Sequence, residues 1–236
     1  MSANDPRNKL PDFYLDIVAE LQKWYEVEFI VFENVLGIRD KKHAHTYKSI
    51  VRRLRKLGMK VTEHLLCALD FGVPQTRKRI VLSAVRDECD RQAIQLLRRE
   101  GPSTVREAIG DLCPPVFFRR GLNPNEIPLH PNHWTMQPKS ERFSSDTKSL
   151  KGGRSFRRLN WDKPSPTIAF GHREINVHPN GQRRLSIFEA MLLQGFPSSF
   201  VLEGNLTQQV EQVSNAVPPP LSRSIAAAVK KSVQGN

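Results

Sequence analysis

Apolar and polar positions alternate in a helical rhythm near the front of the chain. In "LPDFYLDIVAELQKWY", Phe13, Ile17 and Leu21 recur on one stripe, with Tyr14, Val18 and Trp24 alongside. This spacing predicts an amphipathic helix. "FIVF" follows, a wholly apolar run from Phe29 to Phe32 that ends on Glu33 and Asn34. Such a run predicts a short strand, parallel to its neighbours and covered on both faces. A carboxylate placed there is costly to bury without a partner.

"HTYKSIVRRLRKLGMKV" then sets Tyr47, Ile50, Val51, Leu54 and Leu57 on one helical face, with Lys48, Arg52, Arg53, Arg55 and Lys56 on the other. Thr46 suits the helix start and Gly58 its end. "KVTEHLLCAL" and "RIVLSAVR" predict two more strands flanking the turn "DFGVPQT". Helices alternating with apolar strands imply an α/β layered sheet. "DECDRQAIQLLRRE" predicts one further helix.

From about Gly101 the chain becomes rich in Pro, Asn, Ser and His. Arg142, Lys148, Lys151, Arg154, Arg157 and Arg158 fall in a stretch whose one acid is Asp146. This predicts an irregular basic segment. Trp134, Phe143, Phe156 and Trp161 give it more aromatic character than a linker has. Helical patterning returns at "RRLSIFEAMLLQGFP", where Leu185, Phe188, Met191 and Leu192 form a stripe. Ser186 and Glu189 have capping-box spacing, and Gly195 and Pro197 end the helix. A last helix follows Pro218, Pro219 and Pro220.

The chain has 236 residues, a formal net charge of +12 and a pI near 10.0. The charge favours a polyanionic partner such as nucleic acid. No apolar run is long enough for a bilayer span, and the N-terminal residues lack a signal core, so the expected location is cytoplasmic. Cys67, Cys89 and Cys113 have neither disulfide nor zinc-ligand spacing; no metal site is expected.

Three constellations carry chemistry. In "PQTRKR", Gln75, Arg77 and Arg79 alternate and share a face if the backbone is extended. They suit a phosphate or a base edge, and equally a solvated strand end. In "ENV", Glu33 lies where open α/β sheets bind ligands, and a satisfied internal carboxylate explains it as well. In "QVSNAVPPPLS", Asn215 sits at a bend that a helix entry alone accounts for.

Taken together, "DPRNKL", "FENVLGI", "FGVPQTRKR", "PSPT", "HPNGQRRLSIFEAMLLQGFP" and "NAVPPPLSRSIA" resemble, in this order, the later motifs of the bacterial DNA (cytosine-5) methyltransferases. The resemblance covers nearly the whole chain. It implies an incomplete Rossmann-like methyltransferase sheet with a small, irregular target-recognition domain: residues 1–86 from the catalytic α/β domain, 87–183 for target recognition, and 184–236 as helices returning to the catalytic domain.

Family enzymes flip a cytosine out of double-stranded DNA. A cysteine thiolate adds to carbon 6, and carbon 5 takes the methyl group of S-adenosyl-L-methionine. Glu33 matches the glutamate that donates a proton to ring N3. Asn34 would brace its loop. Arg77 and Arg79 match arginines that contact the flipped base, its phosphates and Glu33. Asn215 and Val217 match positions at the methionine end of the cofactor, and Leu10 a leucine near its adenosine. Gln75, Arg142, Lys148, Lys151, Arg154, Arg157 and Arg158 would meet DNA.

The chain departs from the family at two points. It contains neither the Pro-Cys dipeptide of the nucleophile nor the Gly-rich cofactor turn of FxGxG type, and Asn8 stands where a glycine usually follows the arginine. Cys67 and Cys113 match no nucleophile position. The expectation is a C-terminal part or subunit that is inactive alone. The missing cysteine would lie on an N-terminal methyltransferase half carried by a separate chain, or would have been lost from a truncated gene. The alternative is a non-catalytic, sequence-preferring DNA-binding module.

Overall fold

The computed structural model describes residues 9–86, 100–138, 143, 157–168 and 176–234. The helix expected over 87–100 lies almost wholly outside them, as do Arg142, Lys148, Lys151, Arg154, Phe156 and Cys89. The chain divides into two compact units. One comprises residues 1–66, 78–97 and 224–236, the other residues 67–77 and 98–223.

The first unit holds helix α1 (Leu10–Leu21), strand β1 (Phe29–Val35), helix α2 (Ala44–Lys56), and strands β2 (Met59–Cys67) and β3 (Lys78–Arg86). The strands order as β1-β3-β2, so β3 is central and β1 lies at an edge. β3 is buried from Arg79 to Val85, as its Ile, Val and Leu content favours. β1 differs from the expectation of a parallel strand covered on both faces. It runs antiparallel to β3, from Phe29 opposite Val85 to Val35 opposite Arg79, and only Ile30 in it is fully buried. The doubly covered strand is β3.

Both flanking helices bury one face. Leu15 and Val18 of α1 and Ile50 and Leu54 of α2 join Ile30, Ile38, Met59, Ile80, Leu82 and Ala84 in one core. Pro11 and Asp12 open α1 in positions that suit a helix N-terminus. The buried face of α1 is not the predicted stripe: Phe13 is 56%, Ile17 59% and Leu21 43% exposed, while Val18, expected alongside it, is buried. α2 begins two residues before Thr46 and ends as expected at Gly58, whose φ of +75° suits glycine. Arg53 of α2 reaches Asp12 at 3.1 Å and also pairs with Asp16.

The second unit is built around helices α3 (Val105–Ile109), α4 (Ile187–Leu193) and α5 (Leu206–Asn215), with two short parallel strand pairs. These are β4 (Val116–Phe117) with β5 (Trp134–Thr135), and β6 (Arg157–Arg158) with β7 (Asn176–Val177). Ser186 and Glu189 form the expected capping box at α4. Nearly all of α4 is buried, in a core that includes Trp134, Leu159, Ile168 and Val213. No helix is expected over α5, although Leu206, Val210 and Val213 stand at helical spacing. Its own capping box, Asn205 with Gln208, was a readable signal. Helix α6 (Pro219–Gln234) completes the chain.

Candidate active site

Within the first unit, the pairing of β1 with β3 decides what surrounds Glu33. Glu33 lies opposite Val81, and Val35 opposite Arg79. Side chains two apart on a strand share a face, so Glu33 and Arg79 are diagonal neighbours. Arg79 Nε stands 2.9 Å from Glu33 Oε1. The partner that the carboxylate requires is therefore present. Arg79 also donates through Nη1 to the Lys78 carbonyl at 2.8 Å. Burial pulls the Arg79 guanidinium below the ordinary arginine value, and Glu33 opposes that pull.

The opposite face of β1 is anchored. Phe32 packs near Tyr14 of α1, with ring centroids 6.0 Å apart, and the Tyr14 hydroxyl donates to the Val31 carbonyl. Glu33 is left half-buried on a face whose ends, Phe29 and Val35, are exposed. A carboxylate there is oriented by an arginine and open to a ligand. Asn34 Oδ1 accepts from the N–H of Val35, a local contact that fixes the strand end.

Within the second unit, "PQT" is tied to two distant stretches. Gln75 forms a parallel bridge with Ser165 of "PSPT". The Thr76 N–H donates to Ser165 O at 2.8 Å, and the Ser165 N–H to Pro74 O at 2.8 Å. Gln75 is fully buried. Its Nε2 donates to Leu193 O and Gln194 Oε1, and its Oε1 accepts from the Ile168 N–H. The outward-facing amide expected at Gln75 is thus turned inward, with its polar groups engaged by the fold.

Gln194 continues the network. Its Nε2 donates to the carbonyls of Val213 and Ala216, the latter at 3.1 Å. Arg77, also buried, donates through Nη2 to Ser214 O at 3.2 Å. Both side chains therefore hold the backbone that leads into Asn215 and Val217. Asn215 ends α5 with its side chain exposed, and Val217 is half-buried. Asn215 and Val217 thus place an amide and an apolar side chain on one short segment, which alone encloses no ligand. Leu10 begins α1 and is 59% exposed. A glutamine at a helix end carries no local sequence signal, and the role of Gln194 emerges only from the fold.

Of the basic residues expected at DNA, Arg157 and Arg158 are described, and both are exposed on β6. Arg158 Nε donates to the Pro179 carbonyl. Nearby, Arg183 grips Glu189 through two bonds of 2.8 and 2.6 Å, a buried pair that orders the entry to α4. Cys67 ends β2 half-buried, and Cys113 is exposed after α3. Among the described residues no group of three or more His, Cys, Asp or Glu gathers as metal ligands, and no helix is long and apolar enough to cross a membrane.

The model of the C-5 cytosine-specific DNA methylases matches residues 2–231. The chain belongs to that family. It is 32% identical over 262 residues to the type II methyltransferase M.MthTI of Methanothermobacter thermautotrophicus, covering 99% of this chain and 74% of that protein. It is 33% identical over 245 residues to M1.HphI of Haemophilus parahaemolyticus (97% and 62%), and 29% identical over 253 residues to M.NmeDI of Neisseria meningitidis serogroup C (97% and 59%). The chain thus spans between 59% and 74% of the length of these relatives. Among solved structures, an E. coli prophage protein described as a DNA modification methyltransferase superposes with a TM-score of 0.76 at 20% identity, over 98% of this chain and 76% of that one. The Entamoeba histolytica methyltransferase EhMeth superposes with a TM-score of 0.64 at 16% identity, over 99% and 71%. The fold is that of the DNA methyltransferases.

Proposed function

We propose that this chain supplies the base-activating and DNA-recognising part of a DNA (cytosine-5) methyltransferase of a restriction-modification system. The observation that carries this reading is the Glu33–Arg79 pair: a carboxyl group oriented at 2.9 Å by a buried arginine, yet half open to a ligand. Glu33 would donate a proton to N3 of a flipped cytosine and accept from its exocyclic amine. Arg79 would hold Glu33 in place, and Arg77 would steady the Ser214 backbone. Asn215, Val217 and Leu10 would contact S-adenosyl-L-methionine, which supplies the methyl group. Residues 87–183, with Arg157 and Arg158, would serve target recognition.

The nucleophilic cysteine would come from outside this sequence, from the N-terminal part of the methyltransferase. Two features of the first unit support contact with that part. Leu10, Phe13, Ile17 and Leu21 follow one another at helical spacing along an exposed face of α1, Trp24 is exposed in the turn beyond it, and β1 lies at the edge of the sheet among the described residues. The test mixes this chain with the N-terminal half of M.MthTI and follows label from S-adenosyl-L-methionine into cytosine. Transfer should need both polypeptides and be lost in Glu33→Gln. A mixture that binds DNA and cofactor but never methylates sinks the proposal. The second reading, a non-catalytic DNA-binding module, draws on the net charge of +12. It predicts steeply salt-dependent DNA binding with no dependence on Glu33.

A further inference from the structure

The cations of α2 are of two kinds. Arg53 is paired with Asp12 and Asp16 of α1. Lys48, Arg52, Arg55 and Lys56 are all exposed, and none has an acidic partner among the described residues. At about 100° per residue these four occupy one arc of roughly 100° on the face away from Ile50 and Leu54. Glu63, which meets α2 through Tyr47, is already engaged: it accepts from Arg39 at 3.1 Å and from the Tyr47 hydroxyl. Lys48, Arg52, Arg55 and Lys56 line a depression of about 650 Å³ together with Tyr47 and Val51.

Like charges three and four residues apart on a helix repel, so this arrangement costs the isolated fold. A bound polyanion would offset that cost. The row from Lys48 to Lys56 is about 12 Å long at 1.5 Å per residue. One strand of duplex DNA rises about 3.4 Å of axis per phosphate while it winds around that axis, so a straight row of this length meets about two phosphates. A membrane surface fits less well, because the buried side chains Ile50 and Leu54 leave no large apolar residue on the exposed arc to insert among lipids.

We propose that the outer face of α2 is a sequence-independent site for the phosphate backbone of duplex DNA, held by Lys48, Arg52, Arg55 and Lys56. The proposal rests on the reading of this chain as a DNA-binding protein. It adds a contact that involves neither the Glu33 site nor the basic residues of 142–158.

The test compares the full chain with Arg52→Gln/Lys56→Gln and, as a control of equal charge loss, Lys230→Gln/Lys231→Gln on exposed positions of α6. Glutamine is as good a helix former as lysine or arginine, and matching circular dichroism checks the fold. Binding to a 24-base-pair duplex is followed by fluorescence anisotropy across salt concentrations. Each phosphate contact contributes about 0.9 to the slope of log affinity against log salt, so the α2 variant should be shallower by about 2 and the control nearly unchanged. Equal losses in both variants, or none in either, overturn the proposal. Tighter binding of the wild type to phosphatidylserine-containing vesicles than to the duplex also overturns it, and so does failure to bind any duplex. Methyl transfer by the mixture with the N-terminal half is scored separately. Transfer together with an unchanged α2 slope removes this site and leaves the methyltransferase reading standing; a lost slope without transfer does the reverse.

Discussion

Arg79 and Glu33 meet diagonally across the β1–β3 pair, Nε to Oε1 at 2.9 Å, because the antiparallel register puts Arg79 opposite Val35 and two residues along from the partner of Glu33. Either charge alone is a liability, Arg79 on the buried central strand and Glu33 half-buried on β1. Together they form an oriented carboxylate, paired on one side and half-buried on the other.

Separate substitutions should divide that pair into chemistry and positioning. Glu33→Gln keeps the shape and removes the acid, so methyl transfer by the two-polypeptide mixture should fall by about 100-fold or more with DNA binding retained. Arg79→Gln leaves the acid but loosens it. Transfer should fall about 10-fold, and stability by about 1–2 kcal/mol as a charge-assisted bond is lost. Single-turnover methylation and urea unfolding of each variant check the two halves separately.

The two apolar faces of α1 should respond in opposite ways. Leu15 is fully buried and Ile17 is 59% exposed. Leu15→Ala should cost the isolated chain about 2–5 kcal/mol. Ile17→Glu should change its stability by less than about 0.5 kcal/mol, yet weaken association with the N-terminal half at least tenfold. Titration calorimetry against that half, with urea unfolding of the lone chain, measures both. An Ile17→Glu chain that associates normally removes the exposed face from the interface.

Acid should destabilise the fold in two stages. His64, His130 and His178 are each held below the ordinary histidine value of 6.5 by burial. A depressed folded value means that the unfolded chain takes up protons first. Their contribution to stability is therefore complete above about pH 6.5 and lost as pH falls below it. For Glu189, burial pushes the carboxyl upward, but the two bonds from Arg183 prevail and its value lies below the ordinary 4.5. Its contribution is present above that value and lost only on further acidification. Urea midpoints measured from pH 8 to pH 4 should be flat above neutrality and begin to fall near pH 6.5. A midpoint unchanged down to pH 5 would contradict the histidine assignment.

The mix of legible and hidden features has physical causes. The stripe of α2 and the capping box of α4 were plain because one face of α2 is charged and because Ser186 and Glu189 are local partners. The buried face of α1 was not, since Phe13, Ile17 and Leu21 are as apolar as Leu15 and Val18, and periodicity cannot say which face meets the sheet. β1 reads from sequence as doubly covered because four apolar residues in a row look alike at an edge and at a centre. Glu33 could be recognised as needing a partner, but Arg79 became that partner only through the register. The inward turn of Gln75 depends on Ser165, Leu193 and Gln194, which pairing brings together from far along the chain.

Gln194 gives the sharpest test of that long-range network. Its amide nitrogen donates to two carbonyls, those of Val213 and Ala216, while its oxygen accepts from Gln75. It is fully buried, so no water stands ready to replace these bonds. Gln194→Ala leaves the Val213 and Ala216 carbonyls without this donor and opens a void, and should cost about 2–4 kcal/mol. Gln194→Glu should be worse at neutral pH, because a carboxylate would face two carbonyl oxygens with no donor. Part of that loss should return in acid, when the carboxyl gains a proton to donate. Gln194→Met fills the volume without the bonds and separates packing from hydrogen bonding. Urea unfolding gives the order of the three, and amide exchange at Ala216, whose N–H bonds to Gln212 O at 3.1 Å, reports whether the segment before Val217 loosens first. If Met were as stable as Gln and Ala216 exchanged unchanged, the amide would be filling space only, and the link from "PQT" to Asn215 and Val217 would be lost.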